Sequence, residues 1–513
     1  MTRLVVRQMW RGGLAVLALS VLMPAAVAAT FAQVVADAGT LRAIASNAAV
    51  RTLFGPPVSL DRAGGFTVWR VGTFIAVLVG AWAILVTTRI TRGAEEAGRW
   101  DPLLAGRVGL GGLTARHLVA PALVALGSGV GVAVALLVFA GPSAGAVVHG
   151  SGIAAAGLFA VALAGLTAQL FPSRAAASGA AVLVLAGGLL LRMIGDGFAR
   201  LSWVRWLSPF GLLEISSPYG RDRVAPLLVL LLAAAVAFVA ALVVAARRDV
   251  GSGLFAGAGG RRPRGLLRSV EAFAVRRLLV PLIAWGAGVL AYFLLVGSTA
   301  VAITSLVAGN PTVGEMAGQA GFGRLDRVSG LAAVLFALLA LPVGGFAAVR
   351  VAALVSAERD GRLTLLLARP LGRSRPLLAE TLATGLGMVV LVVIAALAAW
   401  AGVNAAGGGL PLTSALLGAG NALPVALLGL GAAVLAAGCA PRLVIAIGVL
   451  PTIGGFLLYV LAPPWLRGMS PFAHLAPVPL TGVDWPASAA MLAVALGLVV
   501  LGAIGYRRRD VLA

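Results

Sequence analysis

Two short segments mix opposite charges at close spacing between long apolar runs. Gly93 to Gly106 reads GAEEAGRWDPLLAG, and Ala357 to Pro370 reads AERDGRLTLLLARP. Each has acidic residues, then Gly-Arg, then a short apolar stretch: Glu95, Glu96, Gly98 and Arg99 in the first, Glu358, Asp360, Gly361 and Arg362 in the second. Carboxylates beside a guanidinium suit docking, because complementary charges across an interface set partner choice and register. A helix lying along the membrane surface would set Leu103 and Leu104 against the bundle and the charges toward water. Such an element can dock into a partner's groove and pass on its movement. A single copy would read equally well as an ordinary charged loop; two copies at equivalent places favour the docking role.

Other candidates carry less chemistry. Arg192 and Asp196 are four residues apart, which puts them on one helix face. A charge at membrane depth costs about 2.5–3.5 kcal/mol on insertion scales, so the two are expected to form a structural charge pair. Phe74, Trp82, Phe336, Phe346, Phe456 and Tyr459 could line a substrate path, although packed or lipid-facing aromatics are the simpler account. His117, His149 and His474 are far apart, and the single cysteine, Cys439, gives them no partner set, so no metal site is expected. Cys439 adjoins an apolar run, where packing is the simplest role. A nucleotide-binding P-loop requires a lysine that reaches the phosphates, and all 39 basic residues are arginine. No catalytic residue is assigned, and ATP hydrolysis, if it drives this chain, is expected on a separate subunit.

The elements that must position these residues are membrane helices. The sequence is 60% hydrophobic and 11% charged, with a mean hydropathy of +1.04. A soluble domain carries about 25% charged residues; a chain this poor in charge could not cover a globule of its size. The net charge of +22 suggests nucleic acid on its own, but the hydropathy argues against that reading. Twelve runs of near-spanning length lie near 13–33, 67–88, 117–140, 151–171, 177–196 and 225–245, then 279–300, 330–350, 381–403, 413–437, 443–461 and 486–506. Arg3, Arg7 and Arg11 ahead of Leu14 to Met23, with Ala26-Val27-Ala28 beyond, follow signal-peptide grammar. The apolar run continues to about Phe31, so a retained first helix is expected. With both termini in the cytoplasm, 27 of the 39 arginines fall on inner segments, as the positive-inside rule requires.

The two halves repeat. Glu95, Gly98, Arg99, Leu103, Leu104, Ala105 and Gly109 recur as Glu358, Gly361, Arg362, Leu366, Leu367, Ala368 and Gly372. Ser208-Pro209-Phe210 recurs as Ser470-Pro471-Phe472, and Arg248-Asp249-Val250 as Arg509-Asp510-Val511. The expected organisation is an all-α integral membrane protein of two parallel six-helix repeats, residues 1–245 and 279–513, joined by a basic cytoplasmic linker, 246–278, suited to anionic lipid contact. Long outer loops near 197–224 and 462–485, rich in Trp, Phe, Leu and Pro, read as interfacial or re-entrant helices that cap a central path.

The segments LFGPPVSLDRAGGFTVWRVGTF, TRGAEEAGRWDPLLAG and ERDGRLTLLLARPLGRSRPLLAE resemble the permeases of bacterial ABC exporters for polyketide antibiotics, the tetronasin-type exporters. The resemblance extends over essentially the whole chain, to the closing RRRDV. It implies a type-two, ABCG-like fold with both halves in one chain of the bacterial inner membrane. It implies export of hydrophobic small molecules such as antibiotics, driven by a separately encoded homodimeric ATPase that carries the ATP and Mg. The family's coupling role falls on Glu95, Glu96, Gly98, Arg99, Glu358, Asp360, Gly361 and Arg362. The first loop departs from the second, with Trp100-Asp101-Pro102 for Leu363-Thr364-Leu365. Proline is tolerated only near a helix start, so the first coupling helix is expected to begin late. A major-facilitator-like secondary transporter and a membrane-embedded lipid or glycosyl transferase are the alternative classes. The first normally has shorter outer loops; the second needs carboxylates or histidines clustered at one membrane face.

Overall fold

The computed structural model describes residues 2–31, 47–106, 108–255, 269–310, 324–359, 361, 363, 372, 374–461 and 463–509. Regular structure among them is entirely helical. Among the described residues eleven helices are long and apolar enough to cross a membrane, and the chain is a multi-pass membrane protein. It divides into two compact units, Met1–Arg261 and Arg262–Ala513.

In the first unit the long helices are α1 (Thr2–Ala29), α3 (Ala63–Ile90), α6 (Leu110–Phe139), α7 (Ala144–Leu170), α8 (Arg174–Gly197) and α10 (Ala225–Arg247). Short helices α2 (Ala48–Phe54), α4 (Arg92–Glu96), α5 (Asp101–Leu104) and α9 (Pro209–Ile215) lie between them. Serine hydroxyls set several starts: Ser143 accepts from Gly145 N and Ser173 from Ala176 N, satisfying donors that a helix N-terminus leaves free. The most enclosed long helix of this unit is α7, rich in Gly and Ala. Lipid tails are as apolar as leucine, so membrane helices associate by close packing, which small residues permit. Ile153, Ala160 and Ala164 of α7 pack there with Ile75, Val79 and Ala83 of α3 and Leu118, Ala125 and Val132 of α6.

The second unit contains α11 (Val270–Ser298), α12 (Ala300–Ala308), α13 (Val328–Arg359), α14 (Arg375–Ala405), α15 (Leu412–Gly420), α16 (Leu423–Cys439) and, at its end, α20 (Trp485–Arg508). The expected span 443–461 is not one long helix. It consists of α17 (Val444–Gly448), a π-helical turn (Leu450–Gly454) and α18 (Gly455–Leu461), followed by α19 (Pro464–Arg467). Pro451 has no N–H to give to the preceding turn, and the ladder widens behind it. Ile453 N and Gly454 N both donate to Val449 O, at 2.8 and 3.4 Å, the signature of a π-bulge. Cys439, expected to be packed, is exposed.

Candidate coupling loops

The first charged loop begins where α3 ends. Gly98 has φ of +64°, a conformation that costs an L-residue about 1–2 kcal/mol. Its N–H donates to Glu95 O at 2.9 Å, and Arg99 N donates to Ala94 O at 3.0 Å. These two bonds form a Schellman stop for α4.

The turn separates the neighbouring glutamates. Glu96 faces outward with Ala97, Gly98 and Arg99, and its Oε1 accepts from Arg174 N at 2.9 Å. Glu95 was expected to be solvent-accessible, but it is buried. Its carboxylate accepts from Arg248 Nη1 at 2.7 Å and Nη2 at 2.6 Å, from Gly251 N at 2.8 Å and from Arg92 Nη1 at 3.3 Å. Arg92 is itself held by Pro172 O, Gly251 O and Ser252 O, and Arg248 Nε donates to Gln169 Oε1 at 2.8 Å. A carboxylate can be buried here because every lone pair meets a donor; an unpaired one would be far costlier. Trp100 folds back into the unit, against Ala94, Leu110, Leu113 and Ala245, with its ring centroid 5.1 Å from that of His117. The next helix, α5, starts at Asp101, with Pro102 in its first turn.

The second unit repeats this construction. Gly361 has φ of +68°, and its N–H donates to Glu358 O at 3.0 Å. Glu358 is buried, and its Oε2 accepts from Tyr506 OH at 3.0 Å and from Arg509 Nη2 at 2.5 Å. Leu363, the counterpart of Trp100, is buried too. Asp360 and Arg362 lie outside the described residues. Glu95 and Glu358 thus each pair with the arginine that follows the last long helix of their unit, Arg248 after α10 and Arg509 after α20. Sequence comparison shows both motifs as repeats but cannot show that they meet.

A second buried pair was missed. Arg350 of α13 bonds Glu380 of α14, with Arg277 Nη1 3.6 Å from the same carboxylate and Arg350 Nη1 donating to Arg277 O at 2.9 Å. Each residue lies at the edge of an apolar run and reads alone as a flanking charge.

The Ser-Pro-Phe anchors also recur in structure. Ser208 Oγ donates to Gly188 O at 2.6 Å and accepts from Gly211 N; Ser470 Oγ donates to Gly455 O at 2.8 Å and accepts from Phe472 N. Phe210 and Phe472 are both buried. Nearby in the first unit, Arg192 Nε lies 2.9 Å from Asp196 Oδ2. Arg192 also reaches a partner the sequence reading missed, Glu214, with Nη2 2.7 Å from Oε1, and donates to Leu53 O at 3.1 Å. Arg205 Nη1 lies 3.4 Å from the other oxygen of Asp196.

Glu214 borders a cavity of about 50 Å³ with Phe54, Trp69, His149 and Phe210, while a larger apolar groove of about 400 Å³ lies among Leu118, Leu123, Leu158, Val161, Leu231 and Phe238. The six proposed path aromatics line neither. Phe336 and Phe346 are packed inside the second unit, against Phe293 and Trp285. Phe456 meets Phe472 edge-on at 5.6 Å, Tyr459 is half-buried and Phe74 is exposed. Trp82 is half-buried beside Gly12, its indole N–H without a hydrogen-bond partner among the described residues.

Comparison with known proteins bears on what these loops serve. The family described as "Multidrug efflux system permease Rv1217c, C-terminal domain" matches residues 3–245 and 267–507. The chain is 32% identical over 500 residues to the "Multidrug efflux system permease protein Rv1217c" of Mycobacterium tuberculosis (strain ATCC 25618 / H37Rv), covering 93% of this chain and 87% of that protein.

Proposed function

This chain belongs to the Rv1217c family of multidrug efflux permeases, and from that premise we propose that it is the membrane-spanning subunit of an ATP-driven exporter of hydrophobic small molecules. The observation that carries the ATP-driven part is the loop built twice: a left-handed glycine, a buried glutamate and, in the first copy, an outward face of Glu96, Gly98 and Arg99. Two equivalent loops suit the two protomers of a homodimeric ATPase that supplies the ATP site and its Mg. Polyketide antibiotics are the substrate class suggested by the tetronasin-type resemblance. In this reading the loops and both termini face the cytoplasm, and the broken stretch 443–461 is the twelfth crossing of an ABCG-like six-plus-six layout. The membrane is the bacterial inner membrane.

The test is purification from the native membrane. A complex with two copies of one ATPase per permease, seen by native mass spectrometry, with drug-stimulated hydrolysis after reconstitution, is the expected result. Vesicles that export drug with the permease alone would overturn the proposal.

A further inference from the structure

We propose that Glu95 and Glu358 do not touch the ATPase but act as positioning residues, each tying its docking loop to the C-terminal end of its unit's last long helix. The inference rests on the reading above and assigns the route by which loop movement enters the bundle.

Three observations support it. First, both carboxylates face inward and are nearly inaccessible, with side-chain exposure of 2%. A partner docking on the loop meets Glu96 and Arg99 and cannot reach Glu95. Second, both partners occupy one structural place: Arg248 is the C-cap residue of α10 and Arg509 that of α20. Two units with only partly similar sequence have kept the same long-range contact, spanning 153 and 151 positions. Third, the contact is suited to carrying displacement. Charge-assisted hydrogen bonds are short and about twice as strong as neutral ones, and burial keeps water from competing for them. The left-handed glycine follows three residues after each glutamate, so the exposed turn and the buried anchor belong to one rigid element.

Among the described residues the two ties use different partners. Glu95 has a two-pronged contact with Arg248 and further bonds from Gly251 N and Arg92. Glu358 has Arg509 and the phenol of Tyr506, whose counterpart in the first unit is Ala245.

The variants are Glu95→Gln and Glu358→Gln, with Glu95→Asp and Glu358→Asp as milder forms that keep the charge. Each is reconstituted with the ATPase at equal amounts of monodisperse permease. Retained ATPase binding and basal hydrolysis, with drug export per ATP reduced about tenfold, an ordinary size for coupling between sites, is the expected result. The Asp variants should fall between, and the reversal Glu358→Arg with Arg509→Glu should recover part of the lost export. Unchanged export per ATP in folded Gln and Asp variants would overturn the inference and leave the exporter reading standing. Loss of ATPase binding in the Asp variants would also overturn it, by making the glutamates part of the docking contact or of the fold alone. If no ATPase binds the unaltered permease, the exporter reading itself fails.

Discussion

Gly129 of α6 and Gly150 of α7 stand back to back. A Cβ on Gly129 would lie 2.4 Å from Gly150 O, and one on Gly150 would lie 2.5 Å from Gly129 O. The helix backbones are therefore in direct contact. Gly438 and Gly502 play the same part between α16 and α20, where a Cβ on Gly438 would lie 2.3 Å from Gly502 O. Replacing Gly150 with Val should force the helices apart and cost about 1–3 kcal/mol, the usual scale of overpacking. Gly179→Ala, in open space, should change little. Thermal unfolding of the detergent-solubilised protein reads both; equal midpoints for the two variants would refute the prediction.

Arg192 pairs with two carboxylates at once. Arg192→Ala would remove the cation paired with Glu214 and leave Asp196 with the longer contact to Arg205, and breaking a buried pair by removing one partner costs about 3–5 kcal/mol. Arg192→Lys should recover only part of this, because an ammonium cannot reproduce the forked contact with Glu214 and the bond to Leu53 O. A folding assay across the three proteins should rank wild type above Lys, and Lys above Ala.

Tyr219 sits in the turn before α10, with its backbone N–H bonded to Asp222 Oδ1 at 2.8 Å and its buried hydroxyl without a hydrogen-bond partner among the described residues. Burial, and then the Asp222 carboxylate, push the phenol up to about 12. An unfolded tyrosine loses its proton near 10, so between about pH 10 and 12 the folded chain binds more protons and its stability falls as pH rises. Unfolding midpoints taken on either side of about pH 10 should show a smaller alkaline loss in Tyr219→Phe. The substitution should be neutral or stabilising at neutral pH, since it removes an unsatisfied hydroxyl.

Orientation can be read with single cysteines on a Cys439→Ala background. Val250 and Trp465 are both exposed, and the proposed topology puts them on opposite sides of the membrane. Val250→Cys should react with an impermeant maleimide only after permeabilisation, and Trp465→Cys in intact cells. The reverse pattern would invert the topology.

How far the sequence led depended on whether a signal was local. Apolar length marked the helices, and the recurrence of Glu-x-x-Gly and Ser-Pro-Phe marked places that recur in structure, because the turn needs a left-handed glycine and the anchor a small hydroxyl. Which way Glu95 faced could not be read, since an acidic residue in a charged loop looks solvated until Arg248 is brought to it from far along the chain. Glu214 was hidden in the same way. The interruption at Pro451 was written locally, in Gly448, Pro451, Gly454 and Gly455, but the mean hydropathy of the run masked it.

The tie at Arg248 has a mechanical consequence. Helix α10 has 23 residues, a rise of about 35 Å. Swung by about 5° about a foot fixed at Arg248, a straight rod of that length would move its far end about 3 Å. That end, at Ala225, follows the turn of Tyr219 and Asp222. A small tilt set at the charged loop would therefore become a displacement of that size at the opposite end of the unit, where Glu214, paired with Arg192, borders the cavity.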